Sequence, residues 1–272
     1  MPHTVVDVNA VVERLWPMSG AEAWDAPGVL SGDPAATVTT IHLAVDAVLD
    51  VADEAAAAGA DLLLVHHPLL LRGVTSIAED RYKGAVLARL IRANCALIAA
   101  HTNADVVETG TSAVLAAALG LVDPRPITSG ETPTRGIGRV GRLAEPTTVG
   151  RLARMLVEIL PATASGIRVS GEYDRPVSTV ALCGGAGDSL LSEPAVLAAD
   201  VYITSDLRHH PASESRENSR VGGGPALIDV SHWASEWLWL DTAAAELRAA
   251  LPGVDVTVSD IRTDPWDFTI VQ

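Results

Sequence analysis

The feature that most restricts what this chain can fold into is a repeated alternation of strand-like and helix-like stretches. "VTTIHLAVD" (38–46) is short and β-branched, and "AVLDVADEAAAAGA" (47–60) is alanine-rich with Gly59 as a stop. "DLLLVHH" (61–67) is again strand-like, "YKGAVLARLIRANC" (82–95) helical, "ALIAAHT" (96–102) a strand and "GTSAVLAAALGL" (110–121) a helix. Strands joined through helices run parallel, so this order predicts a layered α/β domain. Ahead of it, Val5, Val8, Val12 and Leu15 share one face of an amphipathic helix.

Residues 123–150 break the rhythm. They are rich in Pro, Gly, Thr and Ser and read as a connection with a short strand at 137–143. The alternation then resumes: a helix at 148–161 capped by Thr148, strands at 166–173 and 176–185, and a helix at 187–199. Strands follow at 200–206 and 225–232, then a helix at 234–253 and a last strand at 254–261. The expected organisation is a first α/β half over 1–128, a connecting segment over 129–175 and a second α/β half over 176–272.

Composition excludes several functions. With 272 residues, 48% of them hydrophobic, the chain can bury a sizeable core. Its net charge of −15 and single lysine, Lys83, argue against nucleic-acid binding, which needs Lys and Arg to neutralise phosphates. The lysine-containing phosphate loop is absent. No apolar run approaches the roughly 18 residues of a membrane span. Cys95 and Cys183 each sit in an apolar segment, as core residues of a reducing compartment do. The expected location is the cytoplasm.

The histidines are the informative residues. Of eight, six fall at or just beyond predicted strand ends: His66, His67, His101, His209, His210 and His232. In α/β sheets that is where ligands bind. The two halves also echo each other. "ADLLLVHHP" (60–68) is matched by "ADVYITSDLRHHP" (199–211), and "ALIAAHTNAD" (96–105) by "ALIDVSHWASE" (226–236). The second echo yields His101 with Asp105 and His232 with Glu236, each four apart and so on one side of a helical turn. A lone His-His-Pro is usually a loop and a lone His-x-x-x-Asp a solvated turn, but the recurrence of both points to metal. Adjacent His66 and His67 cannot point the same way along a strand, which suits two neighbouring cations better than one. Imidazole with carboxylate suits zinc, iron, manganese, cobalt or nickel. His209 and His210 lie in a polar stretch that reads as a loop, and His42 as a hydrogen-bonded core residue.

Five stretches, "EAWDAPGVLSGDP" (22–34), "DLLLVHHPLLLRG", "AAHTNAD", "TSDLRHH" and "IDVSHWASEW", resemble, in order, the signatures of a known family. These are the dinuclear-metal-centre proteins called GTP cyclohydrolase I type 2 homologues, or NGG-interacting-factor-three-like. The resemblance implies two similar α/β halves with mixed, largely parallel sheets facing each other around a dinuclear metal site. It implies two divalent metal ions per chain, with His66, His67, Asp105, His232 and Glu236 as ligands and Asp105 and Glu236 as bridges. His101 would lie at or beside the metals, with His210 and its neighbour His209 near the site. Ser231 stands where the family commonly has glycine. Longer members carry a further domain, for which 123–175 is too short.

The resemblance also implies a homo-oligomer, a toroidal hexamer, and Trp233, Trp237 and Trp239 on the last helix supply aromatic surface for subunit contacts. The expected function is hydrolysis of a small, nucleotide-like substrate by two metals. The alternative is a non-catalytic metal-binding or scaffold protein, and neither calls for a membrane or nucleic-acid partner.

Overall fold

The computed structural model describes residues 2–130 and 132–271. Its architecture is α/β with mixed sheets, and the chain divides into two compact units. One comprises Met1–Ala104 with Leu240–Thr263; the other comprises Asp105–Trp239 with Asp264–Gln272.

The first unit is built on a five-stranded sheet in the order Asp255–Val258, Thr40–Ala44, Leu62–Val65, Ala96–Ala99, Gly28–Ser31. All pairings are parallel except the last. Leu62, Leu63, Leu64 and Val65 are all buried, the mark of a strand covered on both faces, and this explains why the stretch is aliphatic throughout. The helices Leu49–Ala57 and Tyr82–Arg92 cover one face, placing Val51, Ala55, Val86 and Leu90 against Leu63, Val65 and Leu97. The amphipathic helix is Val5–Leu15. Thr4 and Asp7 close a capping box at its start, and Val5, Val8, Val11 and Val12 are its buried face. His42 is a core residue, bonded to Thr257 Oγ1 and Glu54 Oε2, each at 2.8 Å.

The second unit holds a six-stranded sheet: Arg168–Ser170, Ala226–Val230, Val201–Ser205, Pro176–Ala186, Arg139–Thr148, Leu121–Arg125. Here the expectation of largely parallel strands needs correction, because three of the five pairings are antiparallel. The reason is the stretch expected to be mostly connection. Arg139–Thr148 is a ten-residue strand paired on both sides, and such non-local pairing overrides its Pro, Gly and Thr content. The expected helix at 187–199 is reduced to a single turn at Asp188–Leu190 and the short helix Pro194–Leu197. Residues 209–222, read as a loop, form the helix His209–Gly222, which has no buried residue. Cys95 and Cys183 are free and buried. Among the described residues no helix is long and apolar enough to cross a membrane.

One local device recurs in both units. Asp61, just before Leu62–Val65, accepts from the backbone N–H groups of Thr39 and Thr40 at 2.7 and 3.0 Å. Asp200, just before Val201–Ser205, does the same for Ser178 and Thr179, both at 2.8 Å. Each aspartate ties the start of one strand to the start of its neighbour. Burial opposes ionisation of Asp61, but the bonds from Thr39 and Thr40 outweigh it and hold its pKa below the usual carboxylate range. A folded-state pKa below the unfolded one stabilises above the unfolded value, near pH 4, and the gain is lost as pH falls through the folded value. Asp61→Asn is therefore expected to cost about 1 kcal/mol at pH 7, allowing for partial exposure. The gap from the parent should shrink towards pH 3. Urea unfolding at the two pH values checks this, and an equal gap at both would contradict it.

Candidate metal centre

Three imidazoles come together at the carboxyl end of the first sheet. His66 and His67 follow Leu62–Val65, and His101 follows Ala96–Ala99. Their ring centroids are 5.0, 5.1 and 5.3 Å apart, and one nitrogen from each lies within 4.8 Å of the others. One nitrogen of each of His66 and His67 thus reaches the same cluster. The strand has ended at Val65, and bonds from their N–H groups to Ala44 and Val45 steer the chain into a turn before Pro68. Alternation along a strand no longer applies there.

Each ring is oriented through Nδ1. That of His66 contacts the Ala100 carbonyl at 2.8 Å, that of His67 the Asp46 carboxylate at 2.7 Å, and that of His101 the Asp25 carboxylate at 2.8 Å. Acceptors at Nδ1 fix the tautomer and leave the lone pair on Nε2, the arrangement of metal-ligating histidine. The acceptors are themselves held. The Asp25 side chain is fully buried and also takes the backbone N–H of Thr102 at 3.0 Å and its hydroxyl at 2.5 Å. Burial would raise the Asp25 pKa, but the bonds from His101 and Thr102 hold it far below the carboxylate range. Asp46 takes the Thr263 hydroxyl at 2.5 Å.

The second unit repeats this chemistry at the start of the helix His232–Ala250. His232 Nδ1 lies 2.7 Å from Asp206 Oδ2, and its Nε2 lies 3.1 Å from Glu236 Oε1, one turn along. Burial disfavours the charged imidazole, but Glu236 and Asp206 outweigh it and raise the His232 pKa well above its ordinary value. Asp206 follows its strand directly with a φ of 56°, a conformation aspartate tolerates better than most residues. Ser231, where glycine was expected, caps the helix by accepting from the Ala234 N–H at 3.2 Å.

Gly185 completes this pocket. A Cβ built on it would stand 2.3 Å from Glu236 Oε1 and 3.2 Å from His232 Nε2, and its φ is +71°. Its peptide is pinned by Ser235, which accepts from its N–H at 2.9 Å, and by Thr204, which donates to its carbonyl at 3.1 Å. Imidazole nitrogens with pre-set tautomers, a buried carboxylate and backbone too close for a side chain form a donor set that fits divalent cations such as zinc, iron or manganese. These two ligand groups, three histidines in the first unit and His232 with Glu236 in the second, are consistent with two such ions.

A family model for DUF34/NIF3 (NGG1p interacting factor 3) matches residues 3–265. The chain belongs to this family. A relative from Streptomyces coelicolor, called GTP cyclohydrolase 1 type 2 homolog, is 45% identical over 267 residues, covering 96% of this chain and 92% of the relative. One of the same name from Mycobacterium bovis is 34% identical over 379 aligned positions, covering 98% of each. A solved Staphylococcus aureus hypothetical protein superposes with a TM-score of 0.90 at 26% identity, over 99% of this chain and all of that one.

The other candidate residues are Asp105, His209 and His210. Asp105 ends the short helix Thr102–Asp105 and accepts the Thr111 hydroxyl at 2.5 Å. The segment after it is anchored by Arg139, a buried cation absent from the sequence reading. Arg139 donates to the carbonyls of Gly136 and Gly138 at 2.7 Å and of Val107 at 2.6 Å. His209 and His210 face each other edge-on at 5.2 Å on their exposed helix. Asp25, Asp46 and Asp206, which orient the imidazoles, were also missed. The available signal was position: Asp46 and Asp206, like the histidines, closely follow strand ends.

Proposed function

We propose that this protein is a metal-dependent hydrolase of a small, nucleotide-like substrate, with two divalent cations held by His66, His67, Asp105, His232 and Glu236. The observation that carries the reading is that His66, His67 and His101, each with Nδ1 on an acceptor, bring one ligand nitrogen apiece within 4.8 Å of the others. The geometry of the first unit favours adding His101 to the ligands, since its ring stands in the cluster with His66 and His67. Two cations so held would supply the Lewis acidity for hydrolysis of a phosphoryl or ring-carbon centre. The carboxylates of Asp25, Asp46 and Asp206 would keep the rings aimed, and His209 and His210 would position substrate. The names of the relatives support a nucleotide as substrate, and the buried thiols and acidic charge suit the cytoplasm. The chain acts as a homo-oligomer, a ring of six by family resemblance. Trp233 and Trp239 are buried within the chain, so the apolar run Trp266, Phe268 and Ile270, all exposed, is better placed than they are to meet a neighbour.

Elemental analysis after reconstitution is expected to give about two cations per chain. Asp105→Ala should lose both if it bridges them, while its circular dichroism stays that of the parent. Turnover is then screened over nucleoside triphosphates and phosphoesters. Absence of metal overturns the proposal; metal without turnover supports the scaffold reading.

A further inference from the structure

Beside the helix His209–Gly222 lies a cavity of about 420 Å³ whose lining holds none of the proposed metal ligands. Its opposite wall is the edge strand Arg168–Ser170. Two guanidinium groups, Arg168 and Arg216, line it together with the imidazole of His209. Arg168 pairs with Asp229, the one carboxylate in the lining. Arg216 has no hydrogen-bond or ion-pair partner among the described residues. On a chain of net charge −15, the lining of this recess holds two permanent cations against one carboxylate, with Asp206 the next carboxylate to Arg168.

The polar inventory of the recess points the same way. Ser213 lines it, and so does Ser170. Hydroxyls and guanidinium forks are donors suited to a tetrahedral oxyanion. Between them the lining is apolar, with Val169, Leu207 and Leu227. A ligand that uses both parts has an anionic head and an apolar body.

We propose that this cavity binds a phosphomonoester with an apolar or aromatic body. Arg216 and Arg168 grip the phosphate, with Ser213 as a further donor, and the body lies on Leu207 and Leu227. None of the proposed metal ligands lines the site, although Leu207 in its wall adjoins Asp206, which orients His232.

Isothermal titration of the metal-loaded chain with phenyl phosphate, at low ionic strength, tests it. One saturable site per chain is expected. Arg216→Ala, on an exposed helix face where the fold does not need the side chain, should weaken binding about tenfold or more without changing metal content. Arg168→Gln should weaken it also. Inorganic phosphate should bind more weakly than phenyl phosphate, because it lacks the body. No saturation, or parental affinity in both arginine variants, overturns the proposal. So does loss of binding in His232→Ala while Arg216→Ala retains it, because the metal centre would then be what captures the probe. Equal affinity for the two probes overturns the role of the apolar wall.

Discussion

Gly185→Ala is expected to weaken divalent-cation binding by on the order of 10–100-fold, the range seen when the surroundings of a ligand are disturbed. The added methyl would stand 2.3 Å from Glu236 Oε1, closer than any non-bonded carbon and oxygen can remain. The backbone cannot retreat, because Ser235 and Thr204 pin both sides of the Gly185 peptide. The positive φ adds strain for any side chain. The carboxylate must therefore swing away, and its contact with His232 goes with it. Gly150→Ala is the control. Its methyl would strike the Tyr173 ring at 2.2 Å, so it should destabilise the unit yet leave Glu236 in place. Titration with cobalt, followed by its ligand-field spectrum, reads the ligand geometry directly. Parental affinity and spectrum in Gly185→Ala would show that Glu236 takes no part in holding a cation.

That glycine shows where legibility ended. "CGGAGDS" reads from sequence as a tight turn, and nothing in it says that a helix nearly fifty residues later presses a glutamate against its backbone. The histidines were legible for the opposite reason. They are rare, and they sit where parallel strands end, a position that local pattern alone reveals. Their acceptors were not. Asp25, Asp46 and Asp206 are three of 34 acidic residues, and only the fold selects them. The same division runs through the fold. Leu62–Val65 and Ala96–Ala99 are apolar on both faces and declare themselves as buried parallel strands. The strand Arg139–Thr148 owes its existence to partners on both sides, and the helix His209–Gly222 buries no residue, so no apolar period marks it. Asp255–Val258, the last strand, pairs with Thr40–Ala44 across more than two hundred residues, a partner that reading along the chain cannot supply.

The largest loss of stability is expected at Arg139, which is 3% exposed. Burial opposes its charged form, and the nearby carboxylates of Glu108 and Asp105 offset this only in part, so its pKa lies below the usual arginine value. What keeps a charge there is the set of three carbonyls, Val107, Gly136 and Gly138, to which it donates. Arg139→Met keeps the volume and removes every donor. Buried acceptors left unmade cost about 1–3 kcal/mol each, and Val107 keeps the backbone N–H of Gly110, so the carbonyls of Gly136 and Gly138 carry most of the loss. A loss near 3–5 kcal/mol is expected from the denaturation midpoint and slope. Arg139→Lys should fall between, since one ammonium on a flexible stem cannot repeat the planar fork. Val107 is two residues beyond Asp105, so loosening this anchor should also let the Asp105 carboxylate drift from Thr111. The two effects separate by dose. In Arg139→Lys the fold survives, and any fall in cation affinity beyond the fall in stability then reports the placement of Asp105. If Arg139→Met unfolds within about 1 kcal/mol of the parent, the carbonyls have found water instead, and the anchor is not needed.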